Sequence, residues 1–598
     1  MCGIAGIIGT SPVQPDELRR MADCMRYRGP DDQGLYVDGP VGLAHNRLSI
    51  LDLSAAGHQP MHSGPVVLVF NGEIYNYLEL RADLAREHGW EFSSHTDTEV
   101  ILAAYRVWGR ACVSRFRGMW AFALWDEQRQ EVVLSRDRLG IKPLYYAWDG
   151  QRLLFASEIK AILAAGHRAA PNEEVLADFL VGGFLDHRED TCFAGVRQLL
   201  PGHNAWLETA SRRWATQPYY DLGAAVAACT PTVEAFETAL TESVALHLRS
   251  DVPVGTCLSG GLDSSTIAAL AGPLYREASG RPMKAITALS GDVRDESAYA
   301  AQVVERVGLN WIRTAPSLDD FQTLLPRILW HQEQPTGGPS VVMQYAVMEA
   351  ARDAEISVLL DGQGGDELLL GYERYYSYAF RSWLGRGQIG RAAREFALAG
   401  RHSGLSHATH LRYALYFQSN AARRLFLKRR SRAVDPRWFD MAEPTIRSLG
   451  RSGGTLRDLQ IRELTAAQLP HLLRFEDRNS MAHSIEARVP FVDHRVVEQA
   501  VALPPEAKIR DGYTKFALRQ VAEPRLPASI AWRRTKIGFE APVSWADAAG
   551  RWMDDQIVAS PLVRGMLSVP VDARPLVLPA TLKYRLFEIA LWERTFLR

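Results

Sequence analysis

Six cysteines among 598 residues, none of them in C-x-x-C spacing, give this chain neither a disulfide framework nor a zinc-site pattern. Cys2, Cys24, Cys112, Cys192, Cys229 and Cys257 are scattered, which fits a reducing, cytoplasmic setting. No apolar run reaches the roughly 18 residues that a membrane helix needs. The opening Met1-Cys2-Gly3-Ile4-Ala5-Gly6 has no basic flank and no long apolar stretch, so a secretory signal and a membrane partner are not expected. Charge of one sign is also missing. Against 68 Lys and Arg stand 69 Asp and Glu, and a formal net charge of -1 removes the footprint of a general nucleic-acid binder. The basic stretch from Arg423-Arg424 to Lys428-Arg429-Arg430 reads as a solvated helical face. Internal repeats and low-complexity runs are absent.

What is there reads as an ordinary globular chain, too long for one domain. Residues 1–215 are β-rich with interleaved helices, on short apolar runs at 66–70 and 132–134 and helical periodicity at 77–87 and 99–108. Residues 216–232 hold two prolines and many alanines and read as a linker. Beyond it, in 233–598, strands at 251–258, 285–289 and 356–360 alternate with helices at 264–275 and 297–307. That alternation predicts a doubly wound parallel α/β sheet. From 375 onward the pattern is mainly helical, with a basic, irregular part up to about 454.

Three stretches carry chemistry. Removal of the initiator methionine would leave Cys2 with a thiol and a free α-amine on one residue. The amine, with a pKa of about 8, can serve as base for the thiol. Read alone, Cys2 is more often a small buried residue. The second stretch, Leu258-Ser259-Gly260-Gly261-Leu262-Asp263-Ser264-Ser265, follows a predicted strand and opens a helix, where backbone N–H groups and hydroxyls can hold phosphate. It lacks the lysine and the spacing of a Walker A loop. The third, Asp361-Gly362-Gln363-Gly364-Gly365-Asp366-Glu367, follows a buried strand. Asp263 and Asp366 are the natural Mg²⁺ ligands, because Mg²⁺ takes one or two carboxylates plus phosphate oxygens.

Met1-Cys2-Gly3-Ile4-Ala5-Gly6, Arg28-Gly29-Pro30-Asp31-Asp32, Asn46-Arg47-Leu48-Ser49-Ile50, Asn71-Gly72-Glu73-Ile74-Tyr75-Asn76 and Thr96-Asp97-Thr98-Glu99 resemble the class II glutamine amidotransferases. The SGGLDSS loop resembles the ATP-pyrophosphatase loop. With Arg474-Phe475-Glu476-Asp477-Arg478-Asn479-Ser480-Met481 through Phe491 and Gly512-Tyr513-Thr514-Lys515, nearly the whole chain resembles the asparagine synthetases. The resemblance implies an N-terminal nucleophile αββα sandwich fused to an adenylating α/β domain with a helical C-terminal part. It implies that Cys2 forms a glutamyl thioester, with Asn71 and the Gly72 N–H as oxyanion hole. Arg47 would hold the glutamine carboxylate, and Glu73 and Asp97 its α-ammonium. Ser259, Gly260, Gly261, Ser264 and Ser265 would grip the pyrophosphate of ATP, Leu258, Ala288, Asp361 and Gly362 its adenine and ribose, and Lys515 would neutralise charge at the α-phosphate.

Implied substrates are glutamine, ATP and a small carboxylate, aspartate first; ammonia would pass internally, and a homodimer is compatible with all of this. One departure stands out: Gln363 occupies a position where the best-known relatives have glutamate, and can orient by hydrogen bonds but not act as a base. Competing readings are the same chemistry on another carboxylate in specialised metabolism or envelope synthesis, an intramolecular amide-former of the β-lactam synthetase or lasso-cyclase type, and a non-enzymatic paralogue. Intact Cys2, Arg47, Asn71 and Asp97 count against the last two.

Overall fold

Strand Gly3–Ile8 alternates its side chains between two layers, and this alternation builds the N-terminal half. Ile4 and Ile8 point into a core shared with a second sheet, while Ala5 and Ile7 pack with Leu18, Met21 and Ala22 of helix Pro15–Asp23. The structure, a computed structural model, describes residues 2–292, 295–403, 405–449, 454–534, 540–570 and 575–598. Gly3–Ile8 lies between Val41–Arg47 and Leu153–Ala156 in a six-stranded antiparallel sheet. A second six-stranded antiparallel sheet is centred on Glu131–Arg136, Gly118–Asp126 and Val66–Ile74. Strand Val66–Ile74 shows the same period: Val67 and Val69 face the first sheet, and Val66, Leu68 and Phe70 face helices Tyr77–His88 and Asp97–Trp108. Helix, sheet, sheet and helix stack in that order, as the αββα expectation requires.

In the second half a five-stranded parallel sheet has the order Asn310–Thr314, Lys284–Ala288, Val254–Cys257, Val358–Leu360, Glu486–Arg488. Both faces are buried. Val254, Ala285, Val358 and Leu360 meet one apolar cluster with Ile267 and Ala300, and Ile286 and Leu359 meet another with Val347 and Met348. Chain order reverses between Val254–Cys257 and Val358–Leu360, and the crevice at such a switch point is where open α/β sheets bind ligands.

The sequence reading differs from the structure in three places. The edge strands Asn310–Thr314 and Glu486–Arg488 carry too little apolar pattern to announce themselves. The supposed linker contains helix Leu222–Ala227, capped by Asp221, whose carboxylate accepts from Ala224 N at 3.0 Å; Leu222 and Val226 are buried. The part up to about 454, expected to be irregular within a mainly helical pattern, is regular: it forms helices Tyr375–Gly385, Ile389–His402, His407–Gln418, Asn420–Arg430 and Pro436–Leu449, and Asn420–Arg430 carries the basic run read as a helical face. Arginine is a good helix former, and Ser406 and Ser419 are N-caps. Among the described residues no helix is long and apolar enough to cross a membrane, and the six cysteines are unpaired.

Candidate active sites

Cys2 lies one residue ahead of strand Gly3–Ile8 and is buried. Its backbone nitrogen donates to Asn71 Oδ1 at 3.0 Å, and its carbonyl accepts from Arg28 Nε at 3.1 Å. Burial pushes the thiol pKa up, so nucleophilic use of Cys2 requires a base. Asn71, inside strand Val66–Ile74, is fully buried, and among the described residues its Nδ2 has no hydrogen-bond partner. A buried amide donor left without an acceptor destabilises a fold by about 1–3 kcal/mol, so this donor points to an acceptor that arrives with a ligand. At Gly72 a Cβ would stand 2.1 Å from the Met119 carbonyl oxygen, which restricts the position to glycine.

Around Cys2 the structure gathers Arg47, Gly72, Glu73 and Asp97, with Leu48, Gln59, Thr96 and Thr98. Backbone carbonyls of Ser54 (2.8 Å) and Asp52 (2.5 Å) hold the Arg47 guanidinium without cancelling its charge, which stays available to a carboxylate. Asp97, in the first turn of helix Asp97–Trp108, accepts from Ile74 N at 2.8 Å; burial pushes its pKa up to about 7. Burial, then Glu486 and Asp97, push Glu73 well above the carboxylate range. The cavity among these groups is small, about 30 Å³.

The second site is a cavity of about 680 Å³ at the switch point, within the size range of small-molecule pockets. Leu258, Ser259, Gly261, Asp263, Ser264, Ala288, Asp361, Gly362, Gln363, Asp366 and Lys515 line it. Hydroxyls knit the loop: Ser259 Oγ accepts from Gly261 N at 3.2 Å and lies 3.1 Å from Ser264 Oγ. Two predicted residues do not reach the cavity wall. Ser265 is fully buried in the first turn of helix Leu262–Ser279, and Gly260, at φ +82°, turns toward 296–300, where a Cβ would come within 2.7 Å of Ala300 N.

Lys515 sits in the left-handed region at φ +53°, ahead of helix Phe516–Ala522. Its ammonium lies 2.5 Å from Asp263 and 2.6 Å from Asp366. Burial pulls its pKa down, but the two carboxylates outweigh that and hold it charged. Asp263 and Asp366 therefore already converge on one cation, and two hard carboxylates beside a phosphate loop fit Mg²⁺ completed by phosphate oxygens. Among the described residues no cluster of three or more His, Cys, Asp or Glu forms a metal cage from protein alone.

Sequence reasoning attached no role to the segment at 474–491, and the structure makes it the seam between the two sites. Asp477 pairs with Arg28 at 2.9 Å, Arg478 with Glu333 at 2.9 Å, Arg474 with Asp186 at 2.8 Å, and Arg488 lies 3.4 Å from Glu73. All of these except Asp186 are buried residues, and removing one partner of a buried pair destabilises by about 3–5 kcal/mol. The available signal was the run Glu476-Asp477-Arg478 inside helix Leu469–Met481, since buried charges need partners. Leu472, Phe475, Gln344, Arg533 and Arg534, also not foreseen, line the larger cavity.

Two families of known proteins match this chain. Residues 1–220 match the glutamine amidotransferase domain family and residues 235–580 the asparagine synthase family. A putative glutamine-hydrolysing asparagine synthetase of Mycobacterium tuberculosis is 34% identical, over 93% of this chain and 89% of that protein. Asparagine synthetase 1 of Bacillus subtilis is 30% identical over 91% of this chain and 87% of its own. A fungal protein of Gibberella zeae named amidase chry2 is 30% identical over 85% and 84%.

Proposed function

The chain belongs to the asparagine synthase family, as a glutamine-hydrolysing ligase, and on that premise we propose that it converts aspartate to asparagine through an acyl-adenylate, with ammonia passed inside the protein. With Met1 removed, the Cys2 amine takes the thiol proton and Sγ attacks the glutamine side-chain amide. Asn71 Nδ2 and the Gly72 N–H receive the oxyanion, because fixed donors aimed at developing charge lower the barrier most. Arg47 holds the substrate carboxylate, and Glu73 and Asp97 its ammonium. Ammonia leaves, and water releases glutamate from the thioester.

At the second site the loop from Ser259 to Ser265 holds the β,γ-phosphates, with Leu258, Ala288, Asp361 and Gly362 against the nucleoside. A carboxylate oxygen of the acceptor attacks the α-phosphorus and pyrophosphate leaves, while Lys515 offsets charge at the α-phosphate. Asp263 and Asp366 would hold Mg²⁺, which supplies charge neutralisation at the phosphates. Ammonia then attacks the acyl carbon and AMP departs. Gln363 orients this step by hydrogen bonding. Every residue given a role above belongs to one chain, so the reading does not depend on a homodimer.

The observation that carries the coupled reading is one short segment bordering both cavities: Phe475 lines the larger, and Arg488 lies 3.4 Å from Glu73 in the smaller. The test is to supply glutamine, ATP, Mg²⁺ and aspartate and to measure glutamate, pyrophosphate and asparagine together. Stoichiometric formation of all three supports the proposal; pyrophosphate release that ignores every carboxylate offered refutes it. One feature favours a second acceptor. The wall formed by Val341, Val347, Leu472 and Phe475 is apolar and suits a bulkier carboxylate than aspartate, which a panel of carboxylates in the same assay separates.

A further inference from the structure

Behind the larger cavity runs a chain of hydrogen bonds whose direction is fixed at its start. Arg474 can only donate, and its Nη1 donates to Gln332 Oε1 at 3.1 Å. Gln332 Nε2 donates to Asn479 Oδ1 at 3.0 Å, and Asn479 Nδ2 donates to Gln344 Oε1 at 2.9 Å. Gln344 Nε2 donates to Glu476 Oε2. Every amide in the series is thereby oriented, and Glu476 Oε2 must be an acceptor. Glu476 is buried, on helix Leu469–Met481, and among the described residues its other oxygen, Oε1, receives no hydrogen bond of ordinary geometry. On the cavity side the Glu476 carboxyl meets the Asp361 carboxyl and the Gln363 amide, both of which line the cavity.

We propose that Glu476 and Asp361 share one proton, carried on Glu476 Oε1 and donated to the Asp361 carboxylate, so that Glu476 acts as a positioning residue that sets Asp361 and Gln363 at the wall of the nucleotide cavity. Two carboxyls side by side, one buried and one half-buried at the cavity wall, do not both ionise. Because Oε2 is committed to Gln344, the proton belongs on the oxygen that otherwise lacks a partner. The series then runs from Arg474, which also pairs with Asp186 of the N-terminal half at 2.8 Å, to Asp361 in the nucleotide site, with one donor and one acceptor at each link. Burial and the neighbouring Asp361 together push Glu476 well above the carboxylate range, and burial raises Asp361, in keeping with one shared proton. The groups facing this pair are Cys257 and Gln363 beside Asp361, Gln344 from helix Ser340–Asp353, and Lys142 from the N-terminal half, while Asp477 and Arg478, next along Glu476's own helix, pair with Arg28 and Glu333 instead. Lys142 is buried and its field partly opposes the shift.

The inference rests on the nucleotide site proposed above, and its test separates the two. ATP binding is measured by calorimetry, and pyrophosphate release with aspartate and with a carboxylate panel, for the wild type, Glu476→Gln and Glu476→Ala. Glutaminase activity serves as a check on folding. Glutamine at 476 copies the protonated form, with an amide N–H where the shared proton was. Glu476→Gln should therefore keep ATP affinity and pyrophosphate release within about threefold at pH 7. Glu476→Ala leaves Asp361 and Gln344 unguided and should weaken kcat/KM for ATP by about 10–100-fold. Wild-type ATP affinity should fall at high pH as the shared proton is lost, and Glu476→Gln should lack that fall, which a merely space-filling role would not produce. A Glu476→Gln variant as defective as Glu476→Ala, or one that keeps the alkaline fall, overturns the proposal, and the Gln variant alone decides it if the Ala variant does not fold. Wild type that binds no ATP overturns the nucleotide site itself. Wild type that binds ATP without acceptor-dependent pyrophosphate release overturns only the proposed reaction.

Discussion

Replacing Asn71 separates a residue kept for catalysis from one kept for stability. In the resting protein Asn71 makes one hydrogen bond through Oδ1 to Cys2 N, at 3.0 Å, and leaves its Nδ2 buried without a partner. Asn71→Ala loses that bond, worth about 1 kcal/mol, but also removes an unsatisfied buried donor that destabilises by about 1–3 kcal/mol. The two terms nearly cancel, so the melting temperature should shift by no more than a few degrees. Catalysis should respond very differently. Loss of one oxyanion donor lowers kcat by about 10²–10³-fold, or 2.7–4 kcal/mol. The assay is glutamate release from glutamine, with ammonia-driven pyrophosphate release as the control. Asn71→Asp keeps an oxygen for Cys2 N but puts an acceptor, and at neutral pH a charge, where the donor stood, so it should be at least as defective as alanine. Near-normal turnover in Asn71→Asp, or a large loss of melting temperature in Asn71→Ala with unchanged kcat, refutes the reasoning.

Cys2→Ala should abolish glutamine-dependent synthesis while ammonia-dependent synthesis persists, and the intact mass of the active protein should lack Met1; equal loss with free ammonia refutes two separate sites. Asp263→Ala and Asp366→Ala should each eliminate AMP and pyrophosphate formation while basal glutaminase persists, measured by pyrophosphate and glutamate release. Burial raises Asp97 to about 7 in the free enzyme, and the glutamine ammonium favours its ionised form. Glutamine kcat/KM should therefore rise with pH and level off above about 7, and Asp97→Asn should remove that rise along with most of the affinity. Gln363→Glu should leave pyrophosphate release within about tenfold of wild type, and Gln363→Ala should lower amide formation further, since the residue positions without deprotonating.

Local spacing makes much of this legible in the order of amino acids alone. A thiol beside its own amine, glycines and hydroxyls between a strand and a helix, and acidic residues after a buried strand all express their chemistry within a few residues. Strand–helix alternation likewise carries the parallel sheet, because each strand needs a covering helix on either face. The loop at 258–265 shows the limit: its composition announces a phosphate site, but which residues face the cavity depends on backbone turns, and Gly260 and Ser265 face elsewhere. After 375 the sequence reads as mainly helical with an irregular part up to about 454, and the fold makes that part helical too, with Ser406 and Ser419 as N-caps.

Neighbours in the chain dictate which chemical groups this protein commits to its sites and the local elements that present them. How the two sites meet was decided by tertiary packing. Arg28 finds Asp477 across 449 residues, Arg488 reaches Glu73, and a series of oriented amides runs from Arg474 to Glu476. A buried charge or amide must be satisfied by some partner, but nothing in its spacing says which one, because that pairing is fixed by the packing of whole domains.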